Sequence, residues 1–181
     1  GGDRIDYPGD KSTPTANLVT AKLLVNSTIS TPNVRFYGMD LANFYLNTPL
    51  PNPEYMRLRL DLLPDEIIAK YDLRSLADEN GWVHVKIRMG IMYGLPQAGI
   101  LANKLLEQRL NARGYYQCQH TPGLWRHVWR DIMFCLVVDN FGVKTTAREH
   151  IEHLKTTLEE FYTVAMDWAG TLFCGINMDW N

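Results

Sequence analysis

Hydrophobic positions along the chain recur in two rhythms, every three to four residues and every second residue, and the changes of rhythm mark out the elements. Leu18, Lys22, Val25 and Ile29 continue a helix that opens at Thr13-Pro14 and stops at Thr31-Pro32. Proline suits a first helical turn and steers the residue before it away from helix. Val34 to Asp40 reads as a strand ending at the aspartate, after which residues 41–46 turn helically. Asn47-Thr48-Pro49 and Pro51-Asn52-Pro53 read as breakers. Tyr55 to Leu60 and Trp82 to Arg88 alternate apolar with polar, as half-buried strands do, and flank a short amphipathic helix at 64–71.

Ala98, Leu101, Ala102, Leu105, Leu106 and Leu110 form a helical stripe, with Gly114 placed to end it. Leu124 to Arg130 alternates again, and Ile132 to Val138 is apolar throughout. Thr146-Ala147-Arg148-Glu149 has the form of a capping box, opening a helix with Ile151, Leu154, Leu158 and Phe161 on its apolar face. Thr171 to Ile176 is a last short strand. Strands and helices interleave without a regular βαβ repeat, which predicts an α+β fold: an antiparallel sheet with helices packed on one face.

At 181 residues the chain is long enough for one domain with a sizeable core. A content of 46% hydrophobic and 21% charged residues excludes the disordered and fibrous classes. No apolar run is long enough to cross a bilayer, so no membrane partner is expected. Cys118, Cys135 and Cys174 are odd in number and widely spaced, and read as buried thiols of a reducing, intracellular compartment. The opening Gly1-Gly2-Asp3-Arg4 and the stop at Trp180-Asn181 read as the bounds of a piece of a longer polypeptide.

A net charge of −2 leaves nucleic-acid binding open without arguing for it. The basic clusters Arg57 with Arg59, Lys86 with Arg88, and Arg126 with Arg130 alternate with apolar residues and each reads as a solvated strand face. His150 and His153 lie on a polar helix face and read as exposed. Neither a glycine-rich phosphate loop nor a Ser/His/Asp arrangement of usable spacing is present.

The chemistry concentrates at residues 134–144, where two apolar β-favouring runs flank Asp139-Asn140 and predict a hairpin with its polar residues at the tip. Such a pair is ordinarily a turn, and a carboxylate after a strand, as at Asp40, is as often a cap as a ligand. Two aspartates from distant parts of the chain are also what two-metal phosphoryl transfer requires, where divalent ions about 3.5–4 Å apart activate the attacking oxygen and stabilise the leaving one. Magnesium is content with one or two carboxylates, water and substrate phosphates, so Asp40 and Asp139 suffice chemically.

Five strings stand in one order: Met39 to Asn47 (Met-Asp-Leu-Ala-Asn-Phe-Tyr-Leu-Asn), Glu54-Tyr55-Met56, Tyr93-Gly94-Leu95-Pro96-Gln97-Ala98, Leu136-Val137-Val138-Asp139-Asn140 and Phe173-Cys174-Gly175-Ile176. Together they resemble the reverse transcriptase of Copia-type LTR retrotransposons. The resemblance implies a polymerase palm spanning 1–181, with 1–33 the end of the fingers and 34–181 mainly palm, closing on a primer-supporting hairpin. It implies RNA-directed DNA synthesis with two Mg2+ ions, or Mn2+, held by Asp40 and Asp139, with Asn140 as the third catalytic position. Leu41, Ala42, Tyr45 and Gln97 would contact the incoming deoxynucleoside triphosphate, Tyr45 under the sugar. Gly94, Pro96, Gln97 and Gly175 would contact an RNA or DNA template with its primer; at Gly175 a missing side chain would let backbone approach backbone.

Integrase and RNase H regions of the same polyprotein are the further implied partners, and a cytoplasmic, particle-associated location with a nuclear stage the implied setting. Two departures from the family pattern stand in the hairpin. Val137 replaces a tyrosine, and Asn140 replaces the second aspartate, keeping a carbonyl oxygen but losing the charge. Asn140 supports the alternative of a decayed retroelement copy that keeps the fold and at most binds nucleic acid. An unrelated phosphoryl-transfer enzyme would need a substrate-pocket motif that the sequence lacks.

Overall fold

The computed structural model describes residues 8, 9, 12–91 and 94–180. In chain order the elements are α1 (Leu18–Ile29), β1 (Arg35–Ala42), β2 (Pro49–Arg59), α2 (Asp65–Lys70), β3 (Trp82–Met89), α3 (Ala98–Asn111), β4 (Tyr115–Gln117), β5 (Leu124–His127), β6 (Ile132–Val137), β7 (Asn140–Thr145), α4 (Arg148–Glu159), β8 (Thr163–Asp167), β9 (Leu172–Phe173) and β10 (Ile176–Asn177). Six strands form an antiparallel sheet in the order β4-β5-β6-β7-β1-β8, and β2 with β3 and β9 with β10 form separate ribbons. The fold is α+β. Among the described residues no helix is long and apolar enough to cross a membrane.

Period-two alternation divides the sheet into two faces. Tyr37, Met39 and Leu41 of β1 join Phe134 and Leu136 of β6 and Phe141 and Val143 of β7 in one core, with Ala102, Leu106 and Leu110 of α3 and Ile151, Leu154 and Leu158 of α4 over them. Burying side chains of this size contributes about 1.5–3 kcal/mol each. The opposite face is covered too. There Phe36 and Cys135 meet Ala21 and Leu24 of α1 and Phe173 of the β9–β10 ribbon. Gly38 and Gly142 stand opposite each other in register on this face. A β-carbon on Gly38 would come 2.9 Å from the Leu172 carbonyl oxygen, and one on Gly142 2.9 Å from the Phe173 ring, so the two glycines let the ribbon sit against the sheet.

Several boundaries differ from those read off the pattern. α1 begins at Leu18 rather than Thr13-Pro14, because Asn17 caps it: its side-chain oxygen accepts the Thr20 N–H at 2.8 Å. The residues before it run alongside β6 instead, Ala16 N–H donating to Leu136 O at 2.9 Å. β1 continues two residues past Asp40, and a short 3-10 turn follows only at Tyr45–Asn47. The prolines at 49–53 lie within β2, whose partner on one side is β3 and whose other edge is unpaired in the sheet order, so missing N–H groups are tolerated there. The register is irregular between Pro49 and Glu54.

Thr146 does not cap α4: its hydroxyl donates to Asp131 Oδ2 at 2.9 Å, and Ala147 holds the cap position. Tyr162, not the exposed Phe161, completes the apolar face of α4. β5 stops at His127, and β4 and β8 are short strands that the pattern missed. The terminal strand is a hairpin, β9–β10. The thiols are free, but only Cys135 is buried; Cys118 is partly exposed and Cys174 exposed.

His150 and His153 are not free on a solvated face. His153 Nδ1 shares a hydrogen bond of 2.8 Å with the Tyr115 hydroxyl, and its ring meets that of buried His127 at 5.6 Å. His150 stands against Thr145 and Asp131. Burial lowers the pKa of His127 and of His153.

Candidate active site

The β6–β7 hairpin turns in two residues, Val138 and Asp139, with Val137 opposite Asn140. Val138 has φ +60°, a left-handed conformation that is an outlier for a β-branched residue and costs about 1–3 kcal/mol. Surrounding pairing holds it there. β1 lies beside β7 with Asp40 opposite Asn140, and the Leu41 N–H donates to the Asp139 carbonyl at 3.0 Å. The hairpin tip is thus stitched directly to the strand that carries Asp40.

Asp40, Asp139 and Asn140 therefore come together at one end of the sheet, all partly buried. Burial raises the Asp139 pKa, and the Asp40 charge raises it further, against a lowering by its own backbone hydrogen bond. Such a pair gains from a cation. Asn140 is bound on both sides: its Nδ2 donates to Asp40 Oδ2 at 3.1 Å, and its Oδ1 accepts the Cys174 N–H at 3.4 Å. The asparagine thus links Asp40 to the β9–β10 turn. Among the described residues no group of three or more His, Cys, Asp or Glu side chains could hold a metal, so a metal here would have two carboxylates at most.

Asp40 and Asn140 line a cleft of about 190 Å³ with Gly38, Asp167 and Leu172. Asp167 was not singled out from the sequence, although Asp-Trp-Ala-Gly at 167–170 has the look of a turn. Its carboxylate accepts the N–H groups of Ala169, Gly170, Thr171 and Leu172 at 2.6 to 3.1 Å. Those bonds outweigh burial and lower its pKa. Asp167 is spent on holding the loop that delivers β9 to the site.

The other expected residues fall in three places. Leu41 is 1% exposed, its side chain in the core and its N–H on Asp139. What it does in the structure is position the hairpin. Ala42 ends β1, partly buried. Tyr45 is half-buried, packed between the main core and a smaller cluster of Leu50, Ile91 and Ala98 that also touches Leu95 and Leu101, and its carbonyl accepts the Ile91 N–H at 3.0 Å. Through that cluster it joins β1 to the start of α3.

Gln97 stands at the N-terminal end of α3, 6% exposed, and donates Nε2 to Glu54 Oε1 at 3.0 Å, while its Oε1 has no partner among the described residues. No hydrogen bond joins it to the aspartates among the described residues. Gly94 is exposed with φ +92°, and Pro96 is partly exposed; Tyr93 of the same motif lies outside the described residues. Gly175, with Cys174 at φ +49° and itself at φ +75°, forms the two-residue turn of β9–β10. Both residues have positive φ, the hairpin turn that favours glycine. Among the described residues nothing lies within 4 Å of a β-carbon built there, so turn geometry, not a close backbone, accounts for this glycine.

No protein-family model and no curated protein matches the chain. Among solved structures, telomerase from Candida albicans in complex with the TWJ fragment of telomeric RNA aligns over 91% of this chain and 33% of its own, with TM-score 0.49 and 14% identity. The chain spans a third of that chain's length, and a likeness this distant carries no argument about function.

Proposed function

We propose that the chain is the palm of an RNA-directed DNA polymerase of Copia type, extending a primer 3′-hydroxyl with deoxynucleoside triphosphates. The observation that carries the reading is the apposition of Asp40, on β1, and Asp139, from a distant part of the sequence, at the strained tip of the adjoining β6–β7 hairpin. The ordered motifs quoted above support the polymerase class. The carboxylate pair fits magnesium: hard oxygen donors, with Asp139 raised in pKa by burial and by Asp40. Asp40 and Asp139 would hold the metal, which when bound supplies activation of the attacking oxygen and charge neutralisation at phosphorus.

The chain's own residues orient and exclude. Asn140 pins Asp40 to the β9–β10 turn, which in this reading supports the primer end. Tyr45, braced by two clusters, would lie under the nucleotide sugar, where a rigid ring would reject an added 2′-hydroxyl by overlap. Gln97 and the Gly94-Leu95-Pro96 turn would meet the base pair being formed. RNase H and integrase regions of a common polyprotein are part of the same proposal, as is a particle-associated setting in the cell.

Asn140 favours a second reading, a copy that keeps the fold and has lost catalysis. Primer extension in Mg2+ and Mn2+ by wild type beside Asn140→Asp separates the two. An asparagine that orients Asp40 gives a wild-type rate within about tenfold of the aspartate form, since one tenfold step is only about 1.4 kcal/mol. A wild type that adds no nucleotide beside an active Asn140→Asp establishes the decayed reading.

A further inference from the structure

The basic clusters at Arg57 with Arg59 and at Lys86 are separate in the sequence and adjacent in the fold. The antiparallel register of β2 and β3 sets Tyr55 opposite Lys86, Arg57 opposite His84 and Arg59 opposite Trp82. The alternate residues Leu58, Val83 and Val85 pack toward Ile68 of α2 and Leu73. The six polar and aromatic side chains therefore share the outer face, all exposed except half-buried Trp82.

Cations and rings interleave on it. Lys86 Nζ lies 5.8 Å from the Tyr55 ring centre, and the Arg57 and Arg59 guanidinium carbons lie 4.5 and 5.9 Å from that of Trp82. Two carboxylates face the cations. Asp78 Oδ2 accepts from Arg57 at 3.0 Å while its Oδ1 is held by the N–H groups of Asn80 and Trp82, and Asp61 accepts from Arg59. Both pairs are about half exposed, and pairs of that exposure give way readily to a competing anion. Lys86 makes no ion pair with any described residue.

We propose that the outer face of the β2–β3 ribbon binds single-stranded nucleic acid, with bases stacking on Tyr55 and on the Arg57–Trp82 pair and phosphates meeting Arg57, Arg59 and Lys86. Charge complementarity calls for a polyanion. Open aromatic surface beside the charges selects one with stackable bases, because every base has a π-face; Tyr55 is 68% exposed. An acidic peptide would use the cations and leave the rings idle. This face lies on a different sheet from Asp40 and Asp139, so it stands or falls independently of the polymerase reading.

The test is a salt titration of oligothymidylate binding, about 16 nucleotides long to exceed a single site, on the 181-residue chain. Single strands release counterions with a slope of about −0.7 per phosphate neutralised. The variant Arg57→Gln, Arg59→Gln, Lys86→Gln is expected to bind at least about tenfold more weakly with a slope shallower by about 2. Tyr55→Ala is expected to weaken binding about fivefold or more with its slope unchanged. A control triple, Lys22→Gln, Lys104→Gln and Lys155→Gln, removes equal charge elsewhere and is expected to keep the wild-type slope. Should the ribbon triple fail to fold, Lys86→Gln alone is expected to lower the slope by about 0.7. An unchanged slope in the ribbon variants, an equal change in the control, indifference to Tyr55→Ala, or competition by polyglutamate as strong as by the oligonucleotide overturns the proposal. Asp40→Asn with Asp139→Asn is expected to leave these differences intact, whatever it does to primer extension.

Discussion

Replacing Asp139 with asparagine is expected to slow nucleotide addition at least about 1000-fold, the equivalent of about 4 kcal/mol of barrier, and Asp40→Asn to do the same. Each change keeps the shape of the side chain and removes one of the two charges of the proposed metal site; no further cluster of ligands exists among the described residues to replace it. Single-turnover primer extension checks the loss. The same substitution at Asp139 is expected to stabilise the metal-free chain at neutral pH. A carboxyl group whose folded pKa is raised binds more protons folded than unfolded between its two pKa values, so its charge increasingly disfavours folding as pH rises through the folded pKa. A variant that melts higher yet adds no nucleotide separates loss of chemistry from loss of fold. Extension that survives either substitution removes the metal-site assignment.

Gly123→Ala is expected to cost about 3 kcal/mol, lowering the melting temperature by about 6–12 °C. Gly123 has φ +76°, and a β-carbon there would overlap the backbone nitrogen of Ala16. The overlap falls on backbone, which cannot rotate away. Ala16 N–H donates to Leu136 O, and Leu136 N–H donates to Gly123 O at 2.7 Å, so separating the segments breaks the ties that hold the chain before α1 against β6. Thermal unfolding followed by circular dichroism checks it, and a melting temperature within about 2 °C of wild type, under about 1 kcal/mol for a chain this long, contradicts that packing.

The helices α2, α3 and α4 and most strands were legible because their apolar residues repeat cleanly. Where short polar side chains find other partners the pattern misled. Asn17 took the cap and Thr146 gave one up to Asp131, and neither choice is visible without the neighbouring element. β8 was missed because it is an edge strand whose burial alternates only weakly.

For the site, Asp40, Asp139 and Asn140 were legible as chemistry from their own pattern, and as a constellation only through the family resemblance. Strand register makes them neighbours, and register depends on pairings between parts of the chain far apart in sequence. Asn140 read as a lost ligand, whereas its geometry is that of a strut between Asp40 and Cys174. Asp167 was invisible because its work is done on backbone N–H groups, which carry no sequence signal. Gly175 was noticed for a close approach and is explained by its turn.

Asp40 and Asp139 are proposed together to form a divalent-cation site. A calorimetric titration of Mn2+ into the wild-type chain and into the double variant Asp40→Asn, Asp139→Asn tests it without requiring a primer, a template or catalysis. Binding is expected in the wild type and is expected to weaken at least about tenfold, about 1.4 kcal/mol, in the double variant. Equal binding by the two chains, or none by the wild type, contradicts it.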